Sequence, residues 1–120
     1  MTTLLVFGQI IFGGYFVYSG YKHFKNLTML SGYAGSKGVP MPTTAVFITG
    51  SMMVIGGLGI IFRMYTHFSL ALIAIFLIGV TFQMHQYWKI KDPMQKMGEQ
   101  VNFNKNIALL GAVLMLYVLF

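Results

Sequence analysis

Lys22 and His23, His85 with Gln83 and Gln86 on either side, and Lys105 followed by Asn106 are the residues of this 120-residue sequence whose types and grouping could hold a ligand. A histidine can donate to or accept from a carbonyl oxygen, and a nearby lysine can stabilise an anionic reduced form. The set therefore suits a quinone headgroup, provided an apolar slot takes the tail. Metal chemistry is poorly supplied. Cysteine is absent, the acids are Asp92 and Glu99 in what reads as a loop, and a zinc site needs three or four ligands. His23 and His85 loosely meet the demand of a bis-histidine haem for two facing ligands, but His23 lies just past an apolar run, where water reaches it, so haem is disfavoured. The ten methionines form no dense Met-x-x-Met array and read as flexible packing filler rather than a copper site. No cofactor is required by these residues; they admit a quinone, and equally another small molecule or a lipid headgroup, and they disfavour haem.

The elements that must position these residues are membrane spans. The chain is 57% hydrophobic and 8% charged, with a mean hydropathy of +0.73. Soluble domains carry about 25% charged residues, and a fold of this length could not hide so much apolar surface from water. Four apolar runs, at about 3–21, 43–62, 68–88 and 103–120, approach the ~20 residues that cross a bilayer as helix. Only 107–120 of the last run is continuously apolar, so Lys105 is expected to snorkel. Strand-like alternation is missing, and backbone in lipid must satisfy its own hydrogen bonds, so all four are expected to be helices.

Charge orients them. Lys22, Lys25 and Lys37 fall in the first connection and Lys89, Lys91, Lys96 and Lys105 in or beside the third, against Arg63 alone in the second. By the positive-inside rule the first and third connections are cytoplasmic and both termini outside, in the plasma membrane. Tyr15, Tyr18, Tyr21, Tyr87 and Trp88 suit an aromatic belt on the same side. The basic residues flank apolar runs instead of striping a soluble module, which excludes nucleic acid as the partner.

Phe24, Leu27, Leu30 and Tyr33 or Ala34 recur at helical spacing before Gly35, so a short interfacial helix is expected between the first and second spans, with Gly35 as its stop. Gly13 with Gly20, Gly50 with Gly56 and Gly57, and Ala108 with Ala112 permit close helix contact. Most such contact is internal packing and some is self-association. The third connection, KIKDPMQKMGEQVNFNK, reads as a solvated, lipid-facing basic loop, or else as an interfacial amphipathic helix beside Met94, Met97 and Val101 that docks another subunit. Polar Gln9, Thr49 and Ser51 lie deep in their spans, where neighbouring helices can satisfy them. No carboxylate lies within a span, which argues against a stand-alone proton-coupled transporter.

The segments GYAGSKGVPMP, GSMMVIGGLGIIF, HQYWKIKDP and FNKNIALLGAVLML, in this order, resemble the DoxX family of small four-helix membrane proteins over nearly the whole chain. The resemblance implies a four-helix membrane fold in a single domain, 1–120, and an association with quinone-linked redox complexes. It also leaves open a role in helping other membrane proteins assemble, because a fold does not decide a function.

The expectation is thus an all-α membrane protein: a four-transmembrane-helix bundle with a short interfacial helix between helices 1 and 2. Its function is expected to be that of a non-catalytic accessory or small subunit of a quinone-linked redox system. The alternatives are an assembly factor or binding protein for other membrane proteins, or a stand-alone quinone- or lipid-binding protein. Its partners are the lipid bilayer and either other membrane subunits or copies of itself. The alternating topology brings Lys22, His23, Gln83, His85, Lys105 and Asn106 to one membrane face. His67, beside Arg63, falls on the other. The simpler account of the six is an interfacial fringe of snorkelling lysines and hydrated histidines; the alternative is one polar site.

Overall fold

A computed structural model describes residues 2–120. Among these described residues five helices run in the order α1 (Thr2–Lys25), α2 (Leu27–Ser36), α3 (Pro42–Phe62), α4 (Thr66–Met84) and α5 (Pro93–Leu119), with a 3-10 turn at Tyr87–Lys89 before the last. Four of them are long and apolar enough to cross a membrane: α1, α3, α4 and α5. The interior is a column of Phe16, Met53, Ile60, Leu70, Ile73, Phe76, Leu77 and Val113. Leu4, Ile11, Phe62, Ile75, Met115 and Val118 point outward. This outward apolar surface is what a lipid solvent requires of a bundle.

The bundle is a chain of neighbours, with α1 packed on α3, α3 on α4 and α4 on α5, while α2 lies over α3. Glycine sets the closest of these approaches. A Cβ on Gly13 would stand 2.6 Å from the Gly57 carbonyl oxygen, and one on Gly20 would stand 2.7 Å from that of Gly50. Gly56 likewise meets Ile73 of α4. These glycines therefore serve contacts within the chain, where backbone proximity replaces the missing hydrophobic drive between helices in lipid. Buried Gln9 reaches across the α1–α3 seam, its Nε2 donating to the Ile60 carbonyl at 2.8 Å. Thr49 and Ser51, expected to lean on neighbouring helices, donate instead to Ala45 and Phe47 of their own helix.

Two boundaries differ from the sequence expectation. Gly35 is inside α2, and the chain turns at Gly38, whose φ of +84 is open to glycine at little cost, with Val39 N–H bonding back to the Ala34 carbonyl. The larger difference is α5. Residues 93–102 of the third connection, for which a loop is the favoured expectation, are its first ten residues and continuous with the span, so the helix has 27 residues and a length of about 40 Å, beyond the ~30 Å hydrocarbon thickness. The start signal is local: Asp92 caps the Gln95 N–H through Oδ2 at 3.0 Å, and Pro93 occupies the first turn, where its missing N–H costs nothing.

Candidate functional site

At the end of the bundle where α1 runs into α2 and α4 stops, α1 and α5 do not pack closely against each other, and a cavity of about 330 Å³ lies between them. Lys22, His23, His85, Lys105 and Asn106 all line it, with Phe16, Phe76, Leu77 and Leu109 forming its apolar depth. The exposed Tyr15 and Lys105 stand at the rim, where Lys105 Nζ donates to the Tyr15 hydroxyl at 3.3 Å and bridges the two helices. Five of the six residues grouped by sequence therefore share one cavity.

Gln83 does not join them there. Its Nε2 donates to the Lys37 carbonyl at 2.9 Å and ties α4 to the α2–α3 link. It lines a second cavity, of about 440 Å³, roofed by Leu30, Tyr33 and Ala34 of α2. That space is almost wholly apolar. It shares His23, Leu30, Phe76, Val80 and His85 with the first, so the two histidines form a common wall.

The histidines are held from behind. His23 sits one turn beyond Ser19, and its Nδ1 lies 2.9 Å from the Ser19 carbonyl; its ring stands edge-on to Phe76, centroids 6.2 Å apart. His85 is the residue at which α4 unwinds, and its Nδ1 lies 2.9 Å from Glu99 Oε2. The pair is partly screened, with side chains 18% and 16% exposed, and the other Glu99 oxygen accepts from Asn102 Nδ2 at 3.4 Å. Asn106 is 7% exposed, and its amide has no hydrogen-bond partner among the described residues. An amide that lines a cavity and makes no hydrogen bond within the protein is available to a ligand.

Glu99 is absent from the residues grouped by sequence, because a solvated loop is the favoured expectation for its segment and only a helix turns it toward His85. The signal was present: Glu99, Asn102, Asn106, Leu109 and Val113 recur at three- and four-residue intervals, one continuous helix face that changes from polar to apolar. On the far side of the end of α4, Tyr87, Trp88 and Phe82 each meet the Phe103 ring edge-on, at centroid distances of 5.3, 5.7 and 5.6 Å, and clamp α4 to α5. Tyr87 and Trp88, expected as belt residues, thus also pack on the protein. The His67 ring lies tilted against that of Tyr117, centroids 4.7 Å apart, and the Arg63 guanidinium lies over the Phe120 ring at 5.0 Å, at the other end of the bundle. Among the described residues no three His, Cys, Asp or Glu side chains converge as a metal site would need.

This architecture, four apolar helices with their lipid-type surface turned outward and a polar-lined cavity at one end, defines a small helical membrane protein. The chain belongs to the DoxX family: the family's model matches residues 4–86. The matched region spans α1 to α4 and ends just after His85, so the FNKNIALLGAVLML segment, with Lys105, Asn106 and all of α5, lies outside it. Neither the curated proteins nor the solved structures compared include a match.

Proposed function

We propose that this DoxX-family chain is a small, non-catalytic component of a membrane redox system that holds a quinone in the cavity between α1, α4 and α5. The observation that carries the reading is the cavity itself, lined by His23, His85, Lys22, Lys105 and Asn106 together with an apolar depth. Because α1 and α5 do not close on each other, a headgroup can enter sideways from lipid while its isoprenoid chain stays in apolar surroundings. The second cavity, beneath α2, continues the apolar space past the shared histidine wall.

Seven of the eight Lys and Arg residues lie at or beyond the cavity end of the spans, so that end faces the cytoplasm of a plasma membrane and both termini face outside. On this reading α2 lies at the cytoplasmic interface. The exposed first third of α5, with Lys96 and Met97, is then the surface offered to a catalytic partner subunit. The chain carries no electron-transfer centre in this scheme; it stores or presents the quinone.

The test is a census of bound molecules. Protein purified in mild detergent is extracted into organic solvent and analysed by mass spectrometry, and a prenylated quinone is expected at near-stoichiometric level. Its loss in His85→Phe, with the fold intact by circular dichroism, supports the site. Phospholipid alone, at equal level in both proteins, sinks the quinone reading.

A further inference from the structure

The hydrogen bonds behind the two histidines restrict what the cavity can recognise. A backbone carbonyl only accepts, so His23 Nδ1, 2.9 Å from the Ser19 oxygen, must carry a proton. An ionised carboxylate also only accepts, so Glu99 imposes the same arrangement on His85 Nδ1 at 2.9 Å. In a neutral imidazole the other nitrogen is then a bare acceptor. Both Nε2 atoms are left without a protein partner among the described residues, on side chains that line one cavity. The same cavity is also lined by donors: Lys22, Lys105 and the amide of Asn106.

We propose that Glu99 is a positioning residue that fixes His85 in its Nδ1–H form, and that the cavity thereby selects the reduced, dihydroxy form of an aromatic headgroup over the oxidised dicarbonyl form. The inference rests on the quinone reading and specifies the redox state that the site holds. A hydroxyl oxygen both donates and accepts. Each hydroxyl of a hydroquinone can donate to a histidine Nε2 while its lone pairs accept from a lysine or from Asn106. A carbonyl oxygen only accepts, so the oxidised ring satisfies the lysines and the amide but leaves both imidazole acceptors unpaired in a partly desolvated cavity. A site built to pair with a hydroxyl discriminates against the analogue that lacks it, because the site's own polar groups are then stranded.

Asn102 and the start of α5 bear on the same point. Asn102 holds the second carboxylate oxygen at 3.4 Å, and Asp92 caps the helix on which Glu99 stands. The orientation of His85 is thus set from α5, whereas that of His23 is set within its own helix.

Two measurements test this on the purified full chain in lipid nanodiscs. In the first, imidazole 15N NMR at neutral pH reads the tautomer of each of the three histidines, assigned with His23→Gln, His67→Gln and His85→Gln. Nδ1–H with bare Nε2 is expected at His23 and His85, with a larger Nε2–H fraction at His85 in Glu99→Ala and the wild-type pattern in Glu99→Gln, which retains an acceptor. An Nε2–H or doubly protonated His85 in the wild type overturns the proposal.

In the second, short-chain benzoquinol, under anaerobic reducing conditions, and the matching benzoquinone are titrated separately. The reduced form is expected to bind at least about tenfold tighter, the effect of stranding buried acceptors. The preference is expected to shrink in Glu99→Ala and persist in Glu99→Gln. Equal binding of both forms overturns the proposal and leaves the quinone site standing. Binding of neither form removes the quinone reading and the proposed ligand class together, while the NMR result still decides the role of Glu99.

Discussion

Gln9 and His85 are both polar residues in an apolar chain, and their surroundings separate their roles. Gln9 is buried and bonded to Ile60 across the α1–α3 seam, so it acts as an interhelical link. Gln9→Leu is expected to lower stability by about 1 kcal/mol, the usual worth of one hydrogen bond between helices in lipid, and to leave ligand content unchanged. An SDS-titrated unfolding midpoint reads the first effect and extraction of bound molecules the second. His85 faces a cavity from which its neighbours do not exclude a ligand, so His85→Phe is expected to do the reverse: lose the bound molecule with little change in the unfolding midpoint. The histidines and lysines of the cavity were legible from residue type and depth. Glu99 was not, because its pairing with His85 depends on whether its segment is helical.

At the scale of elements, the α1–α3 seam and the start of α5 carry the most specific expectations. Gly57 faces the Gly13 carbonyl so closely that a Cβ would lie 2.6 Å from it, and backbone cannot move aside as a flexible side chain can. Gly57→Val should therefore cost at least about 1–3 kcal/mol through overpacking. Gly8, around which a Cβ meets open space, provides the matched control, and Gly8→Val is expected to leave the midpoint unchanged. At α5, Asp92→Ala removes the cap and should cost about 1 kcal/mol locally. Hydrogen exchange at the Gln95 and Lys96 amides should then quicken about fivefold, with no change beyond Leu109. A uniform change along α5 would contradict a local cap. The four apolar runs predicted these helices by length and hydropathy. The extension of the last one back to Pro93 was present in the Asp-Pro start signal, but its polar composition concealed it.

For the whole molecule, the distribution of charge and the position of the cavity lead to the same end of the bundle. The lack of any cysteine makes this directly measurable. Single cysteines introduced at Lys96 and at Met64, at opposite ends, should react with a membrane-impermeant maleimide only after permeabilisation in the first case and in intact cells in the second. The opposite pattern would invert the orientation proposed here and place the cavity outside. The same variants, free of other thiols, allow crosslinking from the exposed start of α5 to any partner subunit.

Class, helix number and the end of the molecule that holds the polar residues follow from composition and the order of apolar and basic segments. The bilayer imposes length and hydrogen-bond closure on each span separately, so local sequence is sufficient for these features. Which residues share a wall depends on helix rotation and on which helices touch, and these are set by non-local contacts. The Gly13–Gly57 approach draws α1 onto α3 and leaves α1 apart from α5. The unwinding of α4 at His85 turns that ring toward Glu99. Gln83 is diverted to the Lys37 carbonyl, although its depth matches that of the others. Depth is a one-dimensional property that a sequence carries, whereas convergence on a cavity requires the packed bundle.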